Sequence, residues 1–223
     1  MVDINQNQFY IKDDEKLEPL LIGDYKILQS SKKYRFSRDS VLLADFCEIK
    51  KSDFVVDFCS GSGIVAFLVK INKNPYKIVG LEIDSEFVDM ANRSKMYNKF
   101  DNVDFINGDV KLATNFFKKG SVDVITCNPP YYKNLPTNTI CQNERAKYEV
   151  ELNLENLLKS ASDILKTNGK LFMSYRVDRL QELCVVAKEN NLCLKKIKFI
   201  KESNNNIMLA KFVKNGKYGV KIE

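Results

Sequence analysis

Val122-Asp123-Val124-Ile125-Thr126-Cys127-Asn128-Pro129-Pro130-Tyr131 is a β-branched, mostly apolar run that stops at two prolines. The first six residues read as a central parallel strand, because a strand covered on both faces needs apolar side chains almost throughout. Pro129 and Pro130 end it, since neither can donate to the ladder and each fixes its own φ. The result is a rigid corner at a strand's carboxyl end, where open α/β sheets bind their ligands. It carries an amide (Asn128), backbone carbonyls (Pro129 among them) and an aromatic face, Tyr131, with Tyr132 a second ring. An exocyclic amino group on a flat ring needs two acceptors and a surface to stack on. The same residues also suit a plain strand-ending turn, because Asn-Pro starts turns.

Upstream, Phe54-Val55-Val56-Asp57-Phe58-Cys59-Ser60-Gly61-Ser62-Gly63 leads into Ile64-Val65-Ala66-Phe67-Leu68-Val69. This is a strand, a glycine turn and a helix start. Gly61 and Gly63 let backbone approach a ligand closely, and with Ala66 they satisfy the dinucleotide pattern G-x-G-x-x-A. The next strand, Lys77–Glu82, ends in a carboxylate about twenty residues beyond the glycines, the spacing of a ribose-binding acid. Glu82 could instead cap the following helix, a task Asp84 also suits. Asp109, after the strand Val103–Asn107, could accept from an adenine amino group or cap a helix. Three strand ends with ligating groups and the proline corner on a fourth argue for one pocket.

The 223 residues are 44% hydrophobic and 29% charged, enough for one sizeable core and a short appendage. The expected division is residues 1–50, a basic appendage that could meet an anionic partner, and 51–223, the catalytic domain. Lys32, Lys33, Arg35 and Arg38 lie close to Tyr34 and Phe36 and are the candidates for that contact. No apolar run reaches membrane-spanning length, and the start is polar rather than signal-like, so a cytoplasmic protein is expected. Six cysteines without a C-x-x-C pair, and no histidine, exclude structural zinc and point to reduced, mostly buried thiols. Without histidine there is no imidazole base and no triad. The net charge of +6 suggests an anionic partner.

Strand and helix patterns then alternate, the mark of a parallel sheet. Helices are expected near 64–73, 85–98, 153–166 and 178–190, with a short one at 40–46. Strands are expected near 53–58, 77–82, 103–107, 122–127 and 169–175. The last two candidates, 193–201 and 207–213, are too close for a parallel crossover and must pair antiparallel. The expected architecture is therefore α/β and Rossmann-like: a mostly parallel seven-stranded sheet with an antiparallel final strand and helices on both faces.

With these features in this order, the chain resembles the class I S-adenosylmethionine-dependent methyltransferases. The N-P-P-Y motif places the likeness among those that methylate a planar amino or amide nitrogen. The chain is most similar to the bacterial tRNA adenine-N6 methyltransferases that modify the adenosine beside the anticodon of a valine tRNA. That likeness also rests on Phe36–Leu43, Glu144–Glu149 and Tyr175–Leu180. It implies that Asp57, Gly61 and Gly63 hold the methionine end of the cofactor, with Asp39 nearby. Glu82 would take the ribose and Asp109 the adenine. Asn128, Pro129 and Tyr131 would act on the substrate base, Asn128 also facing the cofactor. With tRNA as the implied substrate, Lys32, Lys33, Arg35 and Arg38 become RNA-binding candidates, and Arg145, Lys147 and Arg176 are further ones. No metal, membrane or obligate protein partner is implied.

Two other functions use parts of this pattern. Protein glutamine methylation shares the corner, but those enzymes carry a longer helical N-terminal domain than the roughly fifty residues ahead of this glycine loop. A nicotinamide-dependent dehydrogenase would account for Gly61, Gly63 and Glu82, but leaves the proline corner and the antiparallel hairpin unexplained.

Overall fold

The computed structural model describes residues 9–20, 22–130, 152–200 and 206–223. Strands β1 (Glu15–Pro19) and β2 (Lys26–Ser30) form an antiparallel hairpin, followed by helix α1 (Arg38–Phe46). Next come β3 (Phe54–Phe58), α2 (Ile64–Lys73), β4 (Lys77–Glu82), α3 (Ser85–Asn98), β5 (Val103–Asn107), a 3₁₀ turn at Val110–Asn115 and β6 (Val122–Cys127). The last part comprises α4 (Leu154–Ile164), β7 (Leu165–Arg176), α5 (Leu180–Glu189), β8 (Leu192–Phe199), β9 (Ile207–Lys214) and the two-residue β10 (Lys221–Ile222).

The main sheet runs β10-β8-β9-β7-β6-β3-β4-β5. All neighbours pair parallel except β9, which is antiparallel to both β7 and β8. The short 199-to-207 connection enforces that reversal, as expected. Eight strands rather than seven make up the sheet because the tail folds back along β8 as β10. The β1–β2 hairpin is a second addition that strand alternation did not announce.

The side chains of each central strand divide between two cores. One lies under α1, α2 and α3 and holds Val55, Ile78, Val124, Phe172 and Leu209. The other lies under α4, α5 and the 3₁₀ turn and holds Val56, Val79, Ile125 and Met173. α1 contributes Leu43, Ala44 and Phe46 to the same core as α2, so packing does not set the first fifty residues apart. The hairpin is tied to α3 by the buried Arg93, which meets both Glu15 oxygens (2.5 and 2.6 Å) and Asp89 (2.8 Å).

The order of strands creates the site. From β3 the chain steps outward to β4 and β5, then returns to the other side of β3 as β6. Phe58 pairs with Cys127, so the glycine loop and the proline corner leave adjacent strands at the same edge. This is the switch point at which open α/β sheets leave a crevice.

Candidate active site

Gly61 and Gly63 both adopt left-handed backbone, at φ +52° and +93°. Their needs differ. A Cβ on Gly63 would lie 2.6 Å from the Phe105 ring, whereas one on Gly61 would meet nothing within 4 Å. Gly63 is thus required by packing, and Gly61 leaves its open side to a ligand. Glu82, at the end of β4, clips the loop from beneath. Its carboxylate accepts from the Gly61 N–H (2.9 Å) and the Asp84 N–H (3.0 Å). Burial pushes its pKa up, against the pull of those amides. Asp84 takes the helix-capping role, accepting from the Glu86 N–H (2.9 Å) at the start of α3.

Asp57 lies near the end of β3 and is fully buried. One oxygen accepts from the Thr126 hydroxyl on β6 (2.6 Å), and the other has no hydrogen-bond partner of good geometry among the described residues, although the Ala66 N–H at the start of α2 lies near enough to favour the ionised form. Burial, with a smaller contribution from the charge of Glu82, raises its pKa to about 7. The Ser60 hydroxyl in the loop is likewise buried and has no partner among the described residues. Two orphaned polar groups beside an open glycine can serve a bound ligand with donors, and a cationic donor would stabilise ionised Asp57. Asp109 caps the 3₁₀ turn, accepting from the Lys111 N–H (2.8 Å). Half-exposed Ile83 and Leu112 give the same edge an apolar surface.

The corner is held differently. The Asn128 amide donates from Nδ2 to the Ser40 hydroxyl in the first turn of α1 (2.8 Å), and Oδ1 accepts from the Ser174 hydroxyl of β7. Three elements thereby fix one amide plane, and Oδ1 keeps a lone pair for a further donor. Pro129, which follows, is buried. Asp39, next to Ser40, is buried and accepts from the Ser37 hydroxyl (3.1 Å). Sequence reading missed Ser40 and Ser174. Serine has no signature of its own, and the two lie 88 and 46 residues from Asn128. Tyr131, Tyr132, Arg145 and Lys147 lie outside the described residues.

The expected N-terminal RNA cluster is paired with acids. Lys33 contacts Asp84 (2.6 Å) and Glu86 (2.8 Å), Arg35 grips Glu18, and Lys32 lies 4.0 Å from Asp14. Arg38 opens α1. Residues 1–50 hold eight Lys and Arg against nine Asp and Glu, so the segment is not basic in sum. Arg176 pairs with Asp178.

A family model described as a methyltransferase domain matches residues 49–217. The chain belongs to that family. Its cofactor is S-adenosylmethionine, and the orphaned oxygens, open glycine and acid-clipped loop fit such a ligand. A release factor glutamine methyltransferase of Fusobacterium nucleatum is 25% identical over 190 residues, covering 78% of this chain and 52% of that protein. A tRNA1(Val) (adenine(37)-N6)-methyltransferase of Bacteroides fragilis is 24% identical over 155 residues, covering 69% of this chain and 65% of that protein. The chain thus spans about half to two-thirds of the length of these relatives. Among solved structures, a predicted O-methyltransferase of Agrobacterium tumefaciens superposes with a TM-score of 0.66 at 17% identity, covering 83% and 85% of the two chains. That likeness speaks for the fold.

Among the described residues, no group of three His, Cys, Asp or Glu side chains could hold a metal, and no helix is long and apolar enough to cross a membrane. The described cysteines are free; Cys47 and Cys127 are buried, while Cys59, Cys184 and Cys193 are only partly so. Cys141 lies outside the described residues.

Proposed function

We propose that this methyltransferase acts on the exocyclic N6 amino group of an adenine in tRNA, adenosine 37 of a valine tRNA, as a cytoplasmic enzyme. The observation that carries the reading is the Asn128 amide, oriented by Ser40 and Ser174 at the switch point beside the glycine loop. When bound, S-adenosylmethionine supplies a methyl group activated by a sulfonium. Glu82 would hold the ribose hydroxyls, Asp57, Gly61, Gly63 and the neighbouring Asp39 would receive the methionine end, and Asp109 would take the adenine amino group.

The substrate nitrogen is a poor nucleophile, because its lone pair is delocalised into the ring. Asn128 Oδ1 and the Pro129 carbonyl accept its two N–H bonds, favour a pyramidal nitrogen and stabilise the positive charge that grows there. Tyr131 supplies the ring on which the base stacks. Both acceptors would relieve the positive charge that methylation places on the nitrogen, and the acidic proton left there would pass to solvent. No base is needed, in keeping with a chain without histidine. A loop adenosine is already partly unstacked, which lowers the cost of presenting it.

A glutamine side-chain amide is the second reading. It offers the same planar nitrogen, and a glutamine methyltransferase is among the relatives. The deciding experiment incubates the chain and S-adenosylmethionine with unfractionated tRNA or with a release-factor protein, then analyses nucleosides and peptides by mass spectrometry. N6-methyladenosine in tRNA is expected. Its absence from every tRNA, with methylglutamine in the protein, would replace the first reading by the second.

A further inference from the structure

The net positive charge of this chain resides in residues 192–223, the closing hairpin and the tail that follows it. Residues 192–223 contain eight lysines and two glutamates, a surplus of six, and the formal net charge of all 223 residues is also +6. Residues 1–191 therefore sum to zero. A lysine-rich composition spread evenly would not give that distribution.

Some of these lysines have structural tasks. Lys214 donates to the carbonyls of Ser162 (2.5 Å) and Leu165 (2.9 Å) where α4 meets β7. Lys211 pairs with Glu48 (2.5 Å). Lys196 and Lys221 share the single carboxylate of Glu223, at 2.9 and 2.7 Å. Lys198 and Lys217 are exposed and have no carboxylate within ion-pair distance among the described residues. Lys195 donates to the Lys217 carbonyl (3.0 Å), which draws the tail against β8. Between Lys217 and Lys221, Tyr218 stands 86% exposed. The exposed ammonium of Lys217 next to an uncovered ring, with exposed Lys198 on β8, gives a surface suited to phosphates and stacked bases.

Register carries this surface to the active site. Ser174 pairs with Leu209, and Leu209 pairs with Lys198. Residues directly opposite in a sheet share a face, and strands lie about 4.8 Å apart, so the backbones of Ser174 and Lys198 are about 10 Å apart. Ser174 is the residue whose hydroxyl holds Asn128. Lys196, two residues before Lys198 on the same face, reaches the Phe46 ring at the end of α1 (5.1 Å), the helix that carries Ser40.

We infer that the lysine face of β8, β10 and the tail between β9 and β10 grips the RNA backbone flanking the base seated at Asn128, with Tyr218 as a stacking platform. The inference rests on the tRNA reading and moves the RNA surface from Lys32, Lys33 and Arg35 to the opposite end of the chain. The test compares three full-length proteins by filter binding to unfractionated tRNA across a salt series: the unmutated chain, Lys198→Glu/Lys217→Glu/Lys221→Glu, and Lys32→Glu/Lys33→Glu/Arg35→Glu. The hairpin variant should bind at least about tenfold more weakly near 0.1 M salt, with a salt slope shallower by about 2–3. Its affinity for S-adenosylmethionine and its melting temperature should stay close to those of the unmutated chain, which separates lost contacts from lost fold. The N-terminal variant should keep most tRNA affinity. Unchanged tRNA binding in the hairpin variant overturns the inference while leaving the substrate reading intact. No salt-dependent tRNA binding by the unmutated chain overturns both.

Discussion

The two strand ends that form the site are made rigid by different chemistry. On the glycine-loop side the fixed groups are carboxylates: Glu82 clips two backbone amides, and Asp57 is buried with one oxygen lacking a partner of good geometry among the described residues. On the corner side they are neutral, an asparagine amide between two serine hydroxyls. A buried carboxylate is costly until a cation or donor meets it, so the loop side has much to gain from a cationic ligand. The corner has no such debt. Its amide is already oriented, and on the proposed function it meets only the small positive charge of a reacting nitrogen. Changes on the loop side should therefore appear in stability and cofactor affinity, and changes at the corner in rate.

The largest expected effect is at the corner. Asn128→Ala should lower the single-turnover rate at saturating cofactor by about 10²–10³, since it removes an acceptor facing growing charge. Cofactor affinity by calorimetry should change little. A rate near that of the unmutated protein would mean that the corner is merely a turn.

Next comes Asp57→Asn, which keeps an acceptor for Thr126 but cannot ionise. The native carboxyl holds its proton up to about pH 7, whereas in the unfolded chain it releases it near its ordinary value of 3.8. Between these values the folded state binds more protons, so this group's stabilising contribution is present at low pH and lost as pH rises towards 7. The loss is about 1.4 kcal/mol per pH unit, roughly 4 kcal/mol over the interval. Denaturant melts from pH 4 to 8 should show the variant gaining on the unmutated chain by that amount. Parallel curves would mean that Asp57 ionises freely in the fold.

The two glycines divide the loop side further. Gly63→Ala drives a Cβ into the Phe105 ring at a positive φ and should cost about 2–3 kcal/mol of stability. Gly61→Ala meets open space and should cost only about 1 kcal/mol, while weakening cofactor binding because its Cβ stands on the ligand side. Equal melts for the two variants would contradict the division.

Much of this arrangement was legible in the chain. The strand, glycine turn and helix around Gly61 lie within a few residues of one another, and the spacing to Glu82 is set by one βαβ unit. The antiparallel closing hairpin followed from a connection too short for a crossover. Features built by long-range contact were not legible. Ser40 and Ser174 acquire meaning only when α1 and β7 meet at Asn128, and a two-residue strand such as β10 is too short to leave a pattern. The hairpin β1–β2 offers Gly23 and Asp24 as a turn, but its strands, Glu-Lys-Leu-Glu-Pro and Lys-Ile-Leu-Gln-Ser, alternate weakly. The lysine surplus after Leu192 was readable by counting. It was overshadowed by Lys32, Lys33 and Arg35, whose aromatic neighbours stood out while the carboxylates that pair with them lay elsewhere in the sequence.

The smallest expected effect tests whether neutral orientation matters at all. Ser174→Ala removes the hydroxyl that donates to Asn128 Oδ1 but leaves the Ser40 contact and every carboxylate in place. One lost hydrogen bond of this kind is worth about 1 kcal/mol, and the freed amide can turn away from the substrate. The rate of methyl transfer should fall by about five- to tenfold. If Ser174 acts by positioning, the fall lies in kcat, with cofactor affinity and the apparent KM for the methyl acceptor nearly unchanged. If it merely packs the end of β7, the variant should melt earlier while its kcat stays intact. The second pattern would remove the distinction between the two sides, leaving the corner as a scaffold whose orientation comes from Pro129 and Pro130 alone.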